Sequence, residues 1–304
     1  MFKSLLVLGI ASDTIERIEL SDHSVRTVLT DSGPCPDGVV FDPATDRIYW
    51  TTMGLPQGRS DWQNKEPDFS RRNGSLRSAR TDGSDQRCVV PDGLITTGKQ
   101  LAADFSANRL YWSDREGCKI SRVDTDGSGL TDLVVNTPTP DRTAECVGIA
   151  VDPVEGYLYW TQKGPAKDGR GKILRAGLDI PLGETATNRT DIETLWDGLP
   201  EPVDLILDHS AGVLYWTDRG AEPLGNTLNR APIPGKGGRG VRPEILAGGF
   251  GEAIGLVVDA AAGLAYVTDL AGTVRAVPLD TSSTAAEFVV ARIPGRALTG
   301  IAGI

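Results

Sequence analysis

Short runs of alternating apolar and polar residues cover the chain, at the length of strands rather than helices. The clearest run is Leu214-Tyr215-Trp216-Thr217-Asp218. It recurs as Ile48-Tyr49-Trp50-Thr51-Thr52, as Leu110-Tyr111-Trp112-Ser113-Asp114, as Leu158-Tyr159-Trp160-Thr161-Gln162 and, more weakly, as Ala265-Tyr266-Val267-Thr268-Asp269. Aromatic and β-branched residues in alternation fit a pleated strand packed on both faces. The tyrosines return at intervals of 48 to 62 residues, a spacing that marks a repeat architecture.

Each repeat carries four strand signals. An apolar run such as Val147-Gly148-Ile149-Ala150-Val151 comes first, and an Asp-Pro turn such as Asp152-Pro153 reverses the chain. The Tyr-Trp strand follows, then a strand alternating around an arginine (Arg77, Arg122, Arg175, Arg230 or Arg275), then a fourth apolar strand. The two ends of the chain supply complementary pieces. Residues 298–304 read as a first strand with nothing after it, and residues 5–30 read as second, third and fourth strands with no first. Pairing them closes a ring and protects strand edges that a linear array would expose. The expected fold is all-β: a six-bladed propeller of four-stranded blades forming one domain. The blades fall near 36–90, 98–135, 145–196, 202–247, 253–290, and 297–304 joined to 5–30, about 51 residues each.

The Tyr-Trp-Thr-Asp strands, the Asp-Pro turns, the arginine of the third strand and the turns Asp82-Gly83-Ser84 and Asp126-Gly127-Ser128 resemble the YWTD repeat. This is the class B repeat of the low-density lipoprotein receptor family, and the resemblance implies a six-bladed propeller. Thr52 and Gln162 replace the motif's Asp, Val267 replaces its Trp, and the closing blade has Leu6-Val7-Leu8-Gly9. Without the cysteine-rich modules of the receptors, the chain looks more like the stand-alone YWTD proteins of microbes. The receptor resemblance implies an interaction platform for a peptide or partner domain at the channel rim.

A net charge of −10 opposes attraction to nucleic-acid phosphate or an anionic membrane face, and no apolar run reaches the length of a membrane helix. Residues 1–10 faintly resemble a secretion leader, but the closing blade needs them as a strand. Four scattered cysteines without C-x-x-C spacing fit reduced thiols in a cytoplasmic protein. The two histidines, His23 and His209, fall in turns expected to face away from the mouth, which argues against triad chemistry or a histidine-held metal. No nucleotide-binding fingerprint is present.

Candidate chemistry collects where loops enter the first strands, because several blades converge there on one ligand. Asp37, Glu145, Glu201 and Glu252 approach from four blades, with Lys99, Gln100 and Arg296 beside them. Clustered carboxylates can act as general acid and base. Their hard oxygens could instead hold Ca2+ in the channel, although no matching motif appears and no cofactor or metal is expected. Arg115, Lys163 and Arg219 add cations at the same level, and the long loop 51–73 brings Met53 and Trp62 as a lid. Repeated motif residues, by contrast, are expected to serve the ring. The expectation is a propeller binding a polar organic molecule, with the four carboxylates as catalytic candidates for hydrolysis, elimination or cyclisation. The alternative is a non-catalytic platform for a protein partner.

Overall fold

Each copy of the pattern becomes one antiparallel sheet. The computed structural model describes residues 1–58, 67–282 and 285–304, and six four-stranded sheets lie among those residues. Blade 1 runs from the channel outward as Pro36–Asp42, Arg47–Thr52, Gly74–Arg80 and Arg87–Ile95. Its outer strand continues past residue 90, because Gly74 pairs with Ile95 beyond a bulge. The innermost strands of blades 2 to 5 are Gly98–Asp104, Cys146–Asp152, Pro202–Asp208 and Ala253–Asp259. Blade 6 joins the two ends of the sequence: Leu298–Gly303 pairs with Ser4–Gly9, with Val7 opposite Ile301 and Leu6 opposite Ala302.

The period of two explains how one strand serves two interfaces. Trp112 packs with Leu76 and Val90 of the preceding blade, whereas its neighbour Tyr111 packs with Ile149 and Trp160 of the following one. The same division holds for Trp50 and Tyr49, and for Trp160 and Tyr159. All four motif tryptophans are at most 1% exposed, so the cores between blades depend on them.

The motif threonine ties each blade to the next. Thr51 accepts the Gly38 N–H at 2.9 Å and donates to the Lys99 carbonyl at 2.5 Å. Thr161 does the same between Gly148 and Val203, and Thr217 between Asp204 and Ile254. Blade 6 has Leu8 at this position and cannot form the bridge. Thr299, on the innermost strand, substitutes by donating to the Pro36 carbonyl at 2.9 Å. Arg175 and Arg230 reach forward in the same sense to carbonyls of Pro234 and Leu279, which agrees with a structural role for the repeated arginines.

Neighbouring innermost strands nearly touch at one level of the channel. A Cβ on Gly148 would lie 2.2 Å from the Val203 oxygen, and one on Gly300 2.2 Å from the Asp37 oxygen. Gly38 and Gly255 hold the same position in their blades, but Gln100 and Asp204 occupy it in the other two. Those two departures place polar side chains inside the channel.

Candidate functional site

The six innermost strands start at the mouth, and the residues around each start decide its chemistry. The motif aspartates fix this region. Asp114 accepts the N–H groups of Thr96, Thr97 and Gly117, and Asp218 accepts those of Glu201 and Gly220. Asp218 therefore positions the backbone of a candidate residue. Burial pushes its carboxyl up to about 7, against the lowering effect of those N–H bonds.

A cavity of about 650 Å³ opens at the mouth. Asp37, Met53, Lys99, Arg115, Glu201, Arg219 and Glu252 line it, so seven of the residues singled out from the sequence converge. Two apolar surfaces complete it. Ile10, Met53 and Phe69 form one with Ala297, and Ile254 with Leu270 forms the other. Thr97 donates to the Phe69 carbonyl at 2.9 Å and so anchors the far end of the 51–73 loop. Trp62 lies outside the described residues.

The charged side chains are cross-braced. Lys99 donates to Asp37, whose other oxygen accepts the Gln100 amide at 3.1 Å. Glu201 is fully buried and accepts from Lys163 at 3.3 Å, from Arg219 at 2.6 Å and from the Lys167 N–H at 3.0 Å. Lys167 spans from blade 3 to Glu252 at 2.7 Å, and Arg219 lies 3.5 Å from the other oxygen of Glu252. Burial pushes the Lys99 ammonium below its usual range, with Arg115 and Arg219 pushing the same way and Asp37 opposing them.

Other candidates lie around this cavity rather than in its lining. Glu145 is held by Arg142 at 2.7 Å and stands 3.9 Å from Arg115. Burial, more than its neighbour Glu116, raises its pKa. Lys163 sits behind Glu201. Arg296 is on the flank, 3.9 Å from Glu16. Gln100 lines a second cavity of about 310 Å³ deeper in the channel, together with Asp204 and apolar residues of all six blades.

Sequence reasoning missed Lys167, Glu116 and Asp204. Glu116 clamps Arg115 with contacts of 2.5 and 3.0 Å. Asp204 accepts the N–H groups of Leu205 at 2.9 Å and Leu256 at 3.0 Å, and burial raises its carboxyl to about 8. Its signal was present in the sequence, as a charged residue at a position that four blades reserve for glycine.

Both histidines lie off the cavity: His209 bonds Asp152 at 3.1 Å and His23 stacks on Phe288. The four cysteines are free thiols, and burial pushes Cys146 well above the usual thiol range. Among the described residues no group of three or more His, Cys, Asp or Glu side chains is placed to hold a metal ion, and no helix is long and apolar enough to cross a membrane.

No protein-family model matches the chain. It is 39% identical over 277 residues to a protein of Pyricularia oryzae named low-density lipoprotein receptor-related protein 1, covering 87% of this chain and 84% of that one. It is 40% identical over 271 residues to the 3-hydroxyacyl-CoA dehydrogenase-like protein LAM1 of Cochliobolus heterostrophus, covering 85% of this chain but only 54% of the relative. Among solved structures, a chain of a nidogen/laminin complex superposes with a TM-score of 0.70 at 22% identity, over 98% of this chain and 97% of that one. With its recurring Tyr-Trp-Thr strands and its ring closed by both ends of the sequence, the chain belongs to the YWTD-repeat family of six-bladed propellers, the class B repeat proteins of the low-density lipoprotein receptor type.

Proposed function

We propose that this propeller binds a small organic anion with an apolar body in the mouth of its channel. One observation carries the reading. Lys99, Arg115, Lys167 and Arg219 line a 650 Å³ cavity together with Asp37, Glu201 and Glu252, and apart from Thr299 the rest of its lining is apolar. A carboxylate ligand would receive charge-assisted hydrogen bonds from cations already held in place, while its body covers Ile254, Leu270 and Phe69.

The acidic residues serve this reading as braces. Asp37, Glu145, Glu201 and Glu252 each hold a lysine or arginine, so on binding they keep in place the cations that meet the ligand. A cytoplasmic setting, where the four free thiols stay reduced, belongs to the same reading. The test is calorimetric titration with 4-methylbenzoate and with the uncharged 4-methylbenzamide. The anion is expected to bind, the amide not, and Arg219→Ala to weaken the anion about tenfold, roughly 1.4 kcal/mol. Equal binding of acid and amide, or no binding of either, overturns the proposal.

The name of the Pyricularia relative favours a second reading, in which the same mouth receives an acidic side chain from a partner protein. An acidic peptide that binds where 4-methylbenzoate does not would select it.

A further inference from the structure

We infer that Lys99 is a nucleophilic amine that forms a reversible imine with a carbonyl-bearing ligand, Asp37 carrying the proton between them. This deepens the reading of the mouth as an organic-anion site and rests on it. The ligand class becomes an aldehyde or ketone that also carries a carboxylate and an apolar body.

The pseudo-symmetry of the ring singles these residues out. The second residue of the innermost strand is Val147, Val203, Ile254 or Thr299 in four blades. Asp37 and Lys99 replace them in the other two. A pair that departs from the repeat is not needed to hold the ring, and a buried ion pair is generally no more stabilising than apolar residues of similar volume. Its position is also chemically apt. The Lys99 side chain is 9% exposed, and both it and Asp37 line the cavity. The Gln100 amide fixes one Asp37 oxygen at 3.1 Å and leaves the other on Nζ. Nζ also donates to Met53 Sδ at 3.4 Å, a weak thioether acceptor that brings no further charge to the amine. Burial and the nearby cations Arg115 and Arg219 favour the neutral amine, the reactive form.

The step balances without an oxidant or reductant. Asp37 takes a proton from the Lys99 ammonium, and the freed nitrogen lone pair forms a C–N bond to the carbonyl carbon. The carbonyl oxygen takes up the proton, becoming a hydroxyl. A second proton passes from nitrogen through Asp37 to that oxygen, the C–O bond breaks and water leaves. The product is an iminium whose positive charge replaces that of the ammonium beside Asp37, and reversal returns ligand and lysine unchanged.

The experiment uses 4-carboxybenzaldehyde with sodium cyanoborohydride, followed by peptide mass mapping of the whole protein. A reduced adduct at Lys99 is expected at least about tenfold faster than at the exposed Lys3 and Lys236. Excess 4-methylbenzoate should suppress it, and Asp37→Asn should slow it while leaving Lys3 and Lys236 unaffected. The suppression arm needs no variant, so a misfolded mutant cannot obscure the result. If 4-methylbenzoate binds but Lys99 is modified no faster than the exposed lysines, the imine is overturned and the anion site stands. If 4-methylbenzoate does not bind and Lys99 is not modified, both are overturned.

Discussion

Replacing Asp204 by Asn isolates a buried channel carboxyl whose titration lies far above the usual carboxylate range. In the folded chain this group titrates near 8, against 3.8 when exposed to water. Burial is the main cause, the charge of Asp37 adds to it, and the N–H groups of Leu256 and Leu205 and the charge of Lys99 oppose it. Between those two values the folded chain holds a proton that the unfolded chain has lost. The contribution of Asp204 to stability is therefore complete below about pH 4 and is lost as the pH rises to about 8. The span from 3.8 to 8 at 1.36 kcal/mol per pH unit sets a ceiling of about 6 kcal/mol. Asn cannot titrate. It also loses one acceptor for Leu205 or Leu256, a constant cost of about 1–3 kcal/mol at every pH. Urea unfolding followed by tryptophan fluorescence, run on both proteins at pH 5, 6.5 and 8, separates the two effects. The stability of the wild type minus that of the variant should fall by up to about 4 kcal/mol from pH 5 to pH 8. Titration of Asp218 is common to both proteins and cancels in the difference. Parallel stability curves would refute the argument that Asp204 is buried and raised.

Asp218→Asn removes an acceptor from the Glu201 and Gly220 N–H groups and should cost about 1–3 kcal/mol in urea unfolding, with weaker binding of 4-methylbenzoate because Glu201 loses its anchor. Thr299→Val breaks the bridge that stands in for the missing motif threonine of blade 6, and should cost about 1 kcal/mol, the same cost expected for Thr217→Val at the junction of blades 4 and 5; a silent Thr299→Val would show that the closing junction does not use it. Trp160→Ala empties a core shared by blades 2 and 3 and should cost about 3–5 kcal/mol by the same assay.

The fold was legible because the same physical problem is solved six times. Each strand must satisfy two interfaces, so Trp and Tyr alternate, and each blade must grip the next, so a threonine recurs. Even the closing blade could be read from the complementary fragments at the two ends. The site was only partly legible, because it lies where the repeats differ. Asp37, Glu201 and Glu252 were located by register, which fixes where a backbone position stands around the channel. Register does not fix which cation a carboxylate finds. Arg142, from the loop before blade 3, takes Glu145, and Lys167 reaches from blade 3 to blade 5 to hold Glu252. The apolar wall was missed because Phe69 and Leu270 belong to loops whose paths the strand pattern does not specify. Asp204 could have been found by comparing the six innermost strands position by position, since glycine is demanded there by the close approach of neighbouring backbones.

The most direct test of the mouth as the binding site is a crystal structure of the protein with 4-methylbenzoate. The account predicts ligand density in the 650 Å³ cavity, with the carboxylate on Arg219, Arg115 or Lys99 and the ring against Ile254 and Phe69. Density only in the deeper cavity beside Asp204 and Phe41, or none in the channel under conditions where calorimetry shows binding, would contradict it.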